Sequence, residues 1–258
     1  AHANGFQTCR ILHILQIILG TIDVPGGFRY KPPFPKPIPP PIRPAGKLGQ
    51  VRPNTPMPGP PLGFVVSPND LLVDEDGKPL RIDKAYSWDA PLAAHGLMHM
   101  VINNAAKGDP YTIDLLFMYM ANMSWNSAMN VPDTLKALTA KRDDGEYVIP
   151  RIIYSDAYDS EMVHYADLIL PETTAFERWD PQVTNAYELV PFTAIRQPLH
   201  APLGETRSIL AIFRDLARRV GGGMEGYFDF EEEEDFYREW FKNLPISWEE
   251  FKRRGIWY

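Results

Sequence analysis

The chain has 258 residues, 45% of them hydrophobic, which is enough to bury a substantial core in one large domain or two small ones. Its formal net charge of -7 provides no overall cationic surface for a phosphate backbone, so we exclude nucleic acid as a partner. No apolar stretch reaches the roughly 20 residues that a membrane-spanning helix needs, and we expect the chain not to cross a bilayer. It begins at Ala1 without a charged leader or a cleavage pattern, so we expect an internal piece of a longer polypeptide.

The single cysteine, Cys9, limits the redox and metal chemistry of this chain. One thiol cannot form an internal disulfide, and it cannot hold an iron–sulfur cluster or a structural zinc ion, which need several ligands. Any such cluster is therefore expected on another segment.

The first predicted element is an apolar helix over residues 8–19. Isoleucine and leucine cover most of its circumference, which predicts that the helix is buried, and Gly20 is placed to end it in a left-handed cap. Gly26 and Gly27 follow a proline, and such a pair lets the backbone pass close to another group. Residues 1–27 are therefore predicted to form a buried helix and a glycine-rich turn.

Residues 25–61 contain so many prolines that neither a helix nor an interior strand can persist there. Interleaved apolar side chains indicate an extended arm that packs over a partner domain, and a disordered linker or polyproline ligand is an equally good interpretation. We assign residues 28–110 to this proline-rich, irregular segment, which ends with a short helix predicted at residues 94–106.

Strands and helices alternate regularly in the next part of the chain. The hydrophobic pattern predicts strands at residues 113–120, 149–155 and 167–170 and helices at residues 133–139, 160–165 and 204–221. This alternation predicts an α/β fold, with a Rossmann-like parallel sheet and helices on both faces, over residues 111–221. Residues 222–258 form an acidic and aromatic tail, which we expect to dock onto a neighbour and link to a missing C-terminal domain.

Short polar side chains follow the first predicted strand at Asn122, Ser124 and Asn126. In parallel sheets, ligands bind beyond the carboxyl ends of the strands, where such side chains and exposed amides can hold a phosphate or a ribose. The alternative is an ordinary strand-to-helix turn with an asparagine cap, which the spacing alone favours.

Two further groups of polar residues end the second and third strands. Asp156 is placed like the acid that receives ribose hydroxyls or guanine N–H groups, and its alternative role is the N-cap of the helix near residue 160. Glu161 is expected as an acid of the first helical turn, with ligand contact as the second interpretation. The turn of Pro171, Glu172 and Thr173 occupies the end of the third strand.

The remaining chemistry-bearing residues do not form a catalytic set. Asp167 and Glu177 flank the turn after the third strand, and we expect structural use of both carboxylates. Four residues offer side chains that could approach a metal or substrate, but no cysteine- or carboxylate-rich partner accompanies them: His2, Asn4, His95 and His99.

Several motifs, in this order and spacing, resemble the dimethyl sulfoxide reductase family of molybdopterin oxidoreductases. They lie at residues 2–5, 20–27, 120–122, 154–156 and 166–177. The Ala-Asp-apolar-apolar-Leu-Pro sequence at residues 166–171, with Glu177 shortly after it, is the most specific of them. Within the family, the chain is most similar to catalytic subunits that act on sulfur oxyanions, namely sulfite-oxidising and thiosulfate- or polysulfide-reducing enzymes.

The resemblance implies a set of cofactors and partners. Two molybdopterin guanine dinucleotides would hold molybdenum between nucleotide-binding domains, and a 4Fe-4S cluster on a missing N-terminal segment would relay electrons. The partners would be the remainder of the catalytic chain, a ferredoxin-like iron–sulfur subunit and a membrane quinone-binding subunit. The implied location is peripheral, at the cytoplasmic face of the membrane, with the periplasm as the alternative.

The resemblance also implies roles for individual residues. Asn122 and Ser124 would line the guanosine or pyrophosphate of one dinucleotide, Asp156 would contact its guanine or ribose, and the turn at residues 171–173 would lie against the same cofactor. His2 and Asn4 would approach the pterin or the substrate funnel.

The chain departs from the family pattern where the cluster-binding cysteines, the molybdenum ligand and the final barrel domain would be, and we expect no catalysis by the chain alone. The alternatives are a scaffold module without metal, or a relative that uses arsenic oxyanions or tetrathionate.

Overall fold

The computed structural model describes residues 5–28, 81–84, 97–126, 130–183 and 192–258. The chain divides into two compact units, each built from several stretches of sequence. The parallel-sheet unit contains the described residues of 40–173 and 204–229, and the antiparallel-sheet unit contains those of 1–39, 174–203 and 230–258. The boundaries of these units differ from the four consecutive segments that the sequence pattern indicated.

Within the described residues, three parallel strands form the sheet of the parallel-sheet unit. They are β1 (Leu116–Tyr119), β2 (Ile152–Asp156) and β3 (Leu168–Pro171), in the order β1-β2-β3. The mixed α/β fold with a parallel sheet is therefore confirmed, although each strand is shorter than or slightly offset from its predicted range. Tyr119 lies opposite Ser155, and Asp156 lies opposite Pro171, so the three strands end at a common edge.

In the part of this unit that the structure describes, two helices pack beside one face of the sheet. A 3-10 turn at Met98–Met100 leads into α2 (Val101–Lys107), and α3 (Val131–Thr139) begins after Asn130, whose side chain accepts the backbone N–H of Asp133. The buried core contains the alternate residues of β1 and β2 that point to this face, as the two-residue period of a strand requires. Its most deeply buried members are Ile102, Ala105, Ile149, Ile152, Tyr154 and Met162.

The longest helix of this unit, α4 (Ile209–Val220), contacts the opposite face. The ring of Phe213 lies 5.4 Å from the ring of Phe117, a strand residue that points away from the main core. The helix begins at Ser208, whose hydroxyl accepts the backbone N–H of Ala211 at 3.1 Å and satisfies one of the free amides of the first turn. A short 3-10 helix, Met224–Tyr227, follows it.

The antiparallel-sheet unit was not predicted from the sequence. Its strands are β4 (Asp180–Val183), β5 (Thr193–Arg196) and β6 (Ile256–Trp257), in the order β4-β5-β6, with helices α5 (Glu233–Trp240) and α6 (Trp248–Arg254). The aromatic side chains of residues 230–258 pack on one another and on β5. The buried cluster consists of Ile195, Tyr237, Phe241, Leu244 and Phe251.

Helix α1 (Gly5–Ile18) forms where an apolar helix was predicted, but the prediction of burial was wrong for the chain as described. Ile11 is 63% exposed and Ile18 is 74% exposed, because no described element covers this helix. The turn after it behaves as predicted. Gly20 ends the helix at a φ of 64°, and a Cβ on Gly27 would lie 2.0 Å from the carbonyl oxygen of Thr21.

Several predictions lie outside the described residues. They concern His2, Asn4 and His95, and residues 29–80 and 85–96 of the segment predicted to be proline-rich and irregular. None of the helices in the described part of the chain has the length and apolar character needed to cross a membrane.

Candidate functional site

The chain leaves all three parallel strands at one edge of the sheet. The backbone N–H of Met120 donates to the carbonyl of Ser155 at 2.9 Å, and the N–H of Glu172 donates to the carbonyl of Asp156 at 3.0 Å. We call residues 120–126, 156–161 and 171–173 the sheet edge. Every residue predicted to bind a cofactor, apart from those outside the described residues, belongs to it.

Met120 begins the sheet edge with a left-handed backbone. Its φ of 47° is uncommon for a residue with a side chain, and such conformations concentrate at functional sites. The chain then turns, so that the N–H groups of Trp125 and Asn126 both donate to the carbonyl of Asn122. A turn therefore follows the strand and holds the side chain of Asn122 at the surface of the edge. The asparagine that caps the next helix is Asn130, and not one of the predicted site residues.

Asn122 joins two parts of the edge. Its side-chain amide donates to the carboxylate of Glu161 across 2.5 Å, and its amide oxygen accepts the hydroxyl of Ser124 at 3.0 Å. Ser124 is only 3% exposed, so it orients Asn122 from below and is not itself accessible. The backbone N–H of Glu161 and then the Asn122 amide lower the pKa of the Glu161 carboxyl, which keeps this side chain ionised.

Asp156 uses both of its carboxylate oxygens. One accepts the hydroxyl of Tyr154, and the other accepts the backbone N–H of Tyr158 at 3.1 Å, two residues farther along, as in an Asx turn. The 3-10 helix Glu161–Tyr165 has Ser160 at its N-cap position, so the alternative that Asp156 caps this helix is wrong. Asp156 remains partly exposed at the edge.

Tyr154 is a site residue that the sequence pattern did not indicate. Its side chain is fully buried, and its hydroxyl lies 2.8 Å from the hydroxyl of Ser160 as well as beside Asp156. Burial, and then the hydrogen bond to Asp156, raise the pKa of Tyr154 to about 12. The available signal was the two-residue spacing to Asp156, which puts both side chains on one face of the strand.

The turn after β3 is mostly buried. Glu172 and Thr173 are each 1% exposed, and the hydroxyl of Thr173 donates to the Glu172 carboxylate at 2.8 Å. Pro171 is exposed, and its carbonyl accepts the backbone N–H of Arg207 at 3.0 Å. Of the residues predicted to bind a cofactor, those that a ligand can reach at the sheet edge are therefore Asn122, Asn126, Asp156, Glu161 and Pro171.

The two carboxylates for which structural use was expected are structural. Asp167 accepts the backbone N–H of Ile152 at 2.7 Å. Glu177, in the antiparallel-sheet unit, accepts the N–H of Thr174 at 2.7 Å and that of Leu203 at 3.0 Å. These hydrogen bonds lower the pKa of Glu177, with the Thr174 N–H as the largest cause.

His99 lies apart from the predicted site residues. It lines a cleft of about 570 Å³ between α2 and α3, together with side chains such as Asn103, Lys107, Asp133 and Lys136. No residue of the sheet edge lines this cleft. Within the described ranges, no group of three or more His, Cys, Asp or Glu side chains could hold a metal ion, and Cys9 is an exposed free thiol.

The chain is of the α/β class with a parallel sheet, in which ligands bind beyond the carboxyl ends of the strands. The family model for molybdopterin oxidoreductases matches residues 96–219, which contain the whole of the sheet edge. The chain belongs to the molybdopterin oxidoreductase family, and the resemblance indicated by its motifs is confirmed.

Two relatives with curated names agree with this assignment. A sulfite dehydrogenase subunit of Allochromatium vinosum is 47% identical over 225 residues, which cover 85% of this chain and 23% of that protein. The molybdopterin-containing subunit of thiosulfate reductase from Salmonella typhimurium is 30% identical over 133 residues, which cover 51% of this chain and 16% of that protein. The structure of acetylene hydratase from Pelobacter acetylenicus aligns with a TM-score of 0.49 at 22% identity, over 64% of this chain and 21% of that one.

Proposed function

We propose that this chain is the central part of the catalytic subunit of a molybdopterin guanine dinucleotide oxidoreductase that acts on sulfur oxyanions. The complete protein would transfer two electrons and an oxygen or sulfur atom. The gathering of Asn122, Asp156 and Glu161 at one sheet edge carries this proposal, because these residues lie up to 39 positions apart and converge where nucleotides bind in such folds.

The donor and acceptor groups of the sheet edge fit the nucleotide end of the cofactor. The amides of Asn122 and Asn126 suit a phosphate or a ribose, and the Asp156 carboxylate accepts the hydroxyl or N–H groups of guanosine. Pro171 offers an apolar surface beside them. Ser124, Glu172 and Thr173 are buried, so they would support these groups from below.

This part of the protein would bind and orient the cofactor, and the cofactor would supply the redox chemistry at molybdenum. Residues 111–221 would form a Rossmann-like half of the dinucleotide-binding domain, with helices on both faces. His2 and Asn4 would approach the pterin or the substrate. The 4Fe-4S cluster would lie on another segment, because it needs more thiolates than Cys9 provides.

The names of the relatives support sulfite as the first substrate and thiosulfate as the second. We propose polysulfide as the remaining substrate of the same class. The chain spans 23% of the length of the sulfite dehydrogenase relative, so most residues that choose the substrate would lie elsewhere. We propose the remainder of the catalytic chain, a ferredoxin-like iron–sulfur subunit and a membrane quinone-binding subunit as partners. The protein would be peripheral, at the cytoplasmic face or, as the alternative, in the periplasm.

The test is elemental and nucleotide analysis of the purified full-length protein, followed by substrate assays. We expect molybdenum, acid-released GMP and sulfite-dependent reduction of ferricyanide, all diminished in Asp156→Ala because it removes the acceptor for the nucleotide. Asp143→Asn, which removes an exposed carboxylate far from the site residues in sequence, is the control. Protein that folds but contains neither molybdenum nor GMP would support the non-catalytic scaffold instead.

Parallel assays separate the substrate alternatives. Thiosulfate, polysulfide, tetrathionate and arsenic oxyanions are offered to the same preparation with a suitable electron donor or acceptor. Turnover of arsenic oxyanions or tetrathionate without turnover of sulfite, thiosulfate or polysulfide would contradict the proposed substrate class and leave the cofactor assignment intact.

A further inference from the structure

We infer that Tyr154 is a positioning residue, whose hydroxyl holds the Asp156 carboxylate in the orientation in which it meets the guanosine part of the cofactor. This inference rests on the proposed function, because it needs Asp156 to contact the nucleotide. It adds a residue that belongs to the buried core and cannot touch the ligand itself.

The fold fixes the hydroxyl of Tyr154 before any ligand arrives. The ring is fully buried in the core beneath β1 and β2, in the same cluster as Ile102 and Met162, so its rotamer is held by packing. Because Tyr154 and Asp156 are two residues apart on one strand, the ring extends along the face that also carries the carboxylate. The hydroxyl thereby reaches the sheet edge from inside the protein.

The hydroxyl has two partners at the edge. It donates to Oδ2 of Asp156, and it lies 2.8 Å from Oγ of Ser160. Burial raises the pKa of Tyr154 to about 12, so the hydroxyl remains a donor over the whole working range of pH. A protonated phenol beside an ionised carboxylate forms a charge-assisted hydrogen bond, which is stronger than a neutral one.

The lone pairs of Asp156 indicate what this orientation achieves. A carboxylate has about four acceptor positions, and the protein uses one on each oxygen, through Tyr154 and through the N–H of Tyr158. Among the described residues no further donor meets either oxygen, so each oxygen keeps one acceptor position. Such a pair matches two adjacent donors of a ligand, as in the N–H edge of guanine or a ribose diol, without loss of rotamer entropy on binding.

The experiment follows retention of the cofactor in the full-length protein. Each variant is purified with its cofactor and dialysed, and the guanine nucleotide still bound per polypeptide is measured by acid release of GMP. We expect Tyr154→Phe to lose nucleotide about tenfold faster than wild type, equivalent to about 1.4 kcal/mol. Tyr147→Phe removes a tyrosine hydroxyl at an exposed position on another loop and is the matched control, with retention like that of wild type.

A double variant separates positioning from a general effect on the fold. Asp156→Asn should also lose nucleotide faster, and adding Tyr154→Phe to it should cause no further change, because the hydroxyl would act only through the carboxylate. A further loss in the double variant would overturn the inference. Ser160→Ala removes the second partner of the Tyr154 hydroxyl and should accelerate the loss of guanine nucleotide to a smaller extent. This variant also provides a test if Tyr154→Phe does not fold. Unchanged nucleotide retention in Ser160→Ala would then count against the inference.

The outcomes also separate this inference from the function on which it rests. Rapid loss in Asp156→Asn with normal retention in Tyr154→Phe would overturn the positioning role and leave the proposed function standing. Normal retention in Asp156→Asn would overturn the inference and the nucleotide contact assigned to Asp156. A wild-type protein without guanine nucleotide would overturn the proposed function as well.

Discussion

The side-chain amide of Asn122 donates a hydrogen bond to the carboxylate of Glu161 across 2.5 Å, although the two residues are 39 positions apart. This bond joins the turn after β1 to the 3-10 helix after β2. It is the direct link between two groups of residues that are proposed to hold one dinucleotide.

Exchanging the two partners of this bond tests its importance. Asn122→Asp places two carboxylates next to each other and removes the hydrogen-bond donor. Because the two segments of the sheet edge then repel each other, we expect a large fall in bound GMP per polypeptide. The double variant Asn122→Asp, Glu161→Gln restores a donor and an acceptor in reversed order, and it should recover part of the loss. If the double variant binds as little GMP per polypeptide as the single variant, the hydrogen bond between residues 122 and 161 does not organise the sheet edge.

Glu177 makes the stability of the antiparallel-sheet unit depend on pH. The N–H groups of Thr174 and Leu203 lower its pKa below the ordinary value of 4.5, so its stabilising contribution is complete above that value. The contribution is lost as the pH falls through the lower, folded-state pKa. We expect Glu177→Gln to lower the melting temperature at pH 7, and the difference from wild type to shrink as the pH falls below 4.5. Glu146→Gln, at an exposed position, should show no such trend; an equal difference at both pH values would contradict the prediction.

Met162 connects the core to the sheet edge, because it is fully buried and directly follows Glu161. Met162→Ala should lower the free energy of unfolding by about 2–5 kcal/mol, since a cavity remains where the side chain packed. Urea denaturation measures this change. Met98→Ala truncates a methionine that is 62% exposed, and it should alter stability far less. Equal effects of the two truncations would contradict the burial of Met162.

Glu234 joins helices α5 and α6. Its carboxylate accepts the indole N–H of Trp248 at 2.8 Å and the ammonium of Lys252 at 2.6 Å, and the hydrogen bond with Lys252 is the main cause of its lowered pKa. Because the group is partly exposed, we expect Glu234→Ala to cost only about 1 kcal/mol and to red-shift tryptophan fluorescence. The control is Glu239→Ala, which removes the ion-pair partner of Lys242. Glu239 is more exposed than Glu234, so this variant should lower the free energy of unfolding by less. An unchanged fluorescence spectrum would argue against the contact with Trp248.

The parallel sheet could be predicted because each of its strands is marked by a short apolar run in the sequence. The apolar run before Asp156 and the run before Pro171 each contain enough β-branched or aliphatic residues to identify a buried strand. Parallel strands that end in polar residues must place those residues at one edge, so the candidate site followed from the same pattern.

The antiparallel sheet was not predicted because its strands carry no local sequence pattern and depend on partners far away in the chain. Its strands are two to four residues long, and β4 contains a proline and an aspartate, so no periodic pattern marks them. Thr193 pairs with Trp257, a residue far along the chain, and the aromatic side chains of α5 and α6 then cover β5. Residues 222–258 were interpreted as a tail because their apolar partners lie so far away in sequence.

The sequence by itself determined that strands alternate with helices, which family the motifs resemble, and which polar residues gather at the carboxyl edge. Only the tertiary structure decided that Ser124, Glu172 and Thr173 are buried while Asn122, Asp156 and Glu161 face outward. It alone revealed the hydroxyl of Tyr154 beside Asp156. The reason is that hydrophobic periodicity reports which face of an element is apolar, whereas the accessibility and partners of a polar group depend on neighbours that arrive from distant parts of the chain.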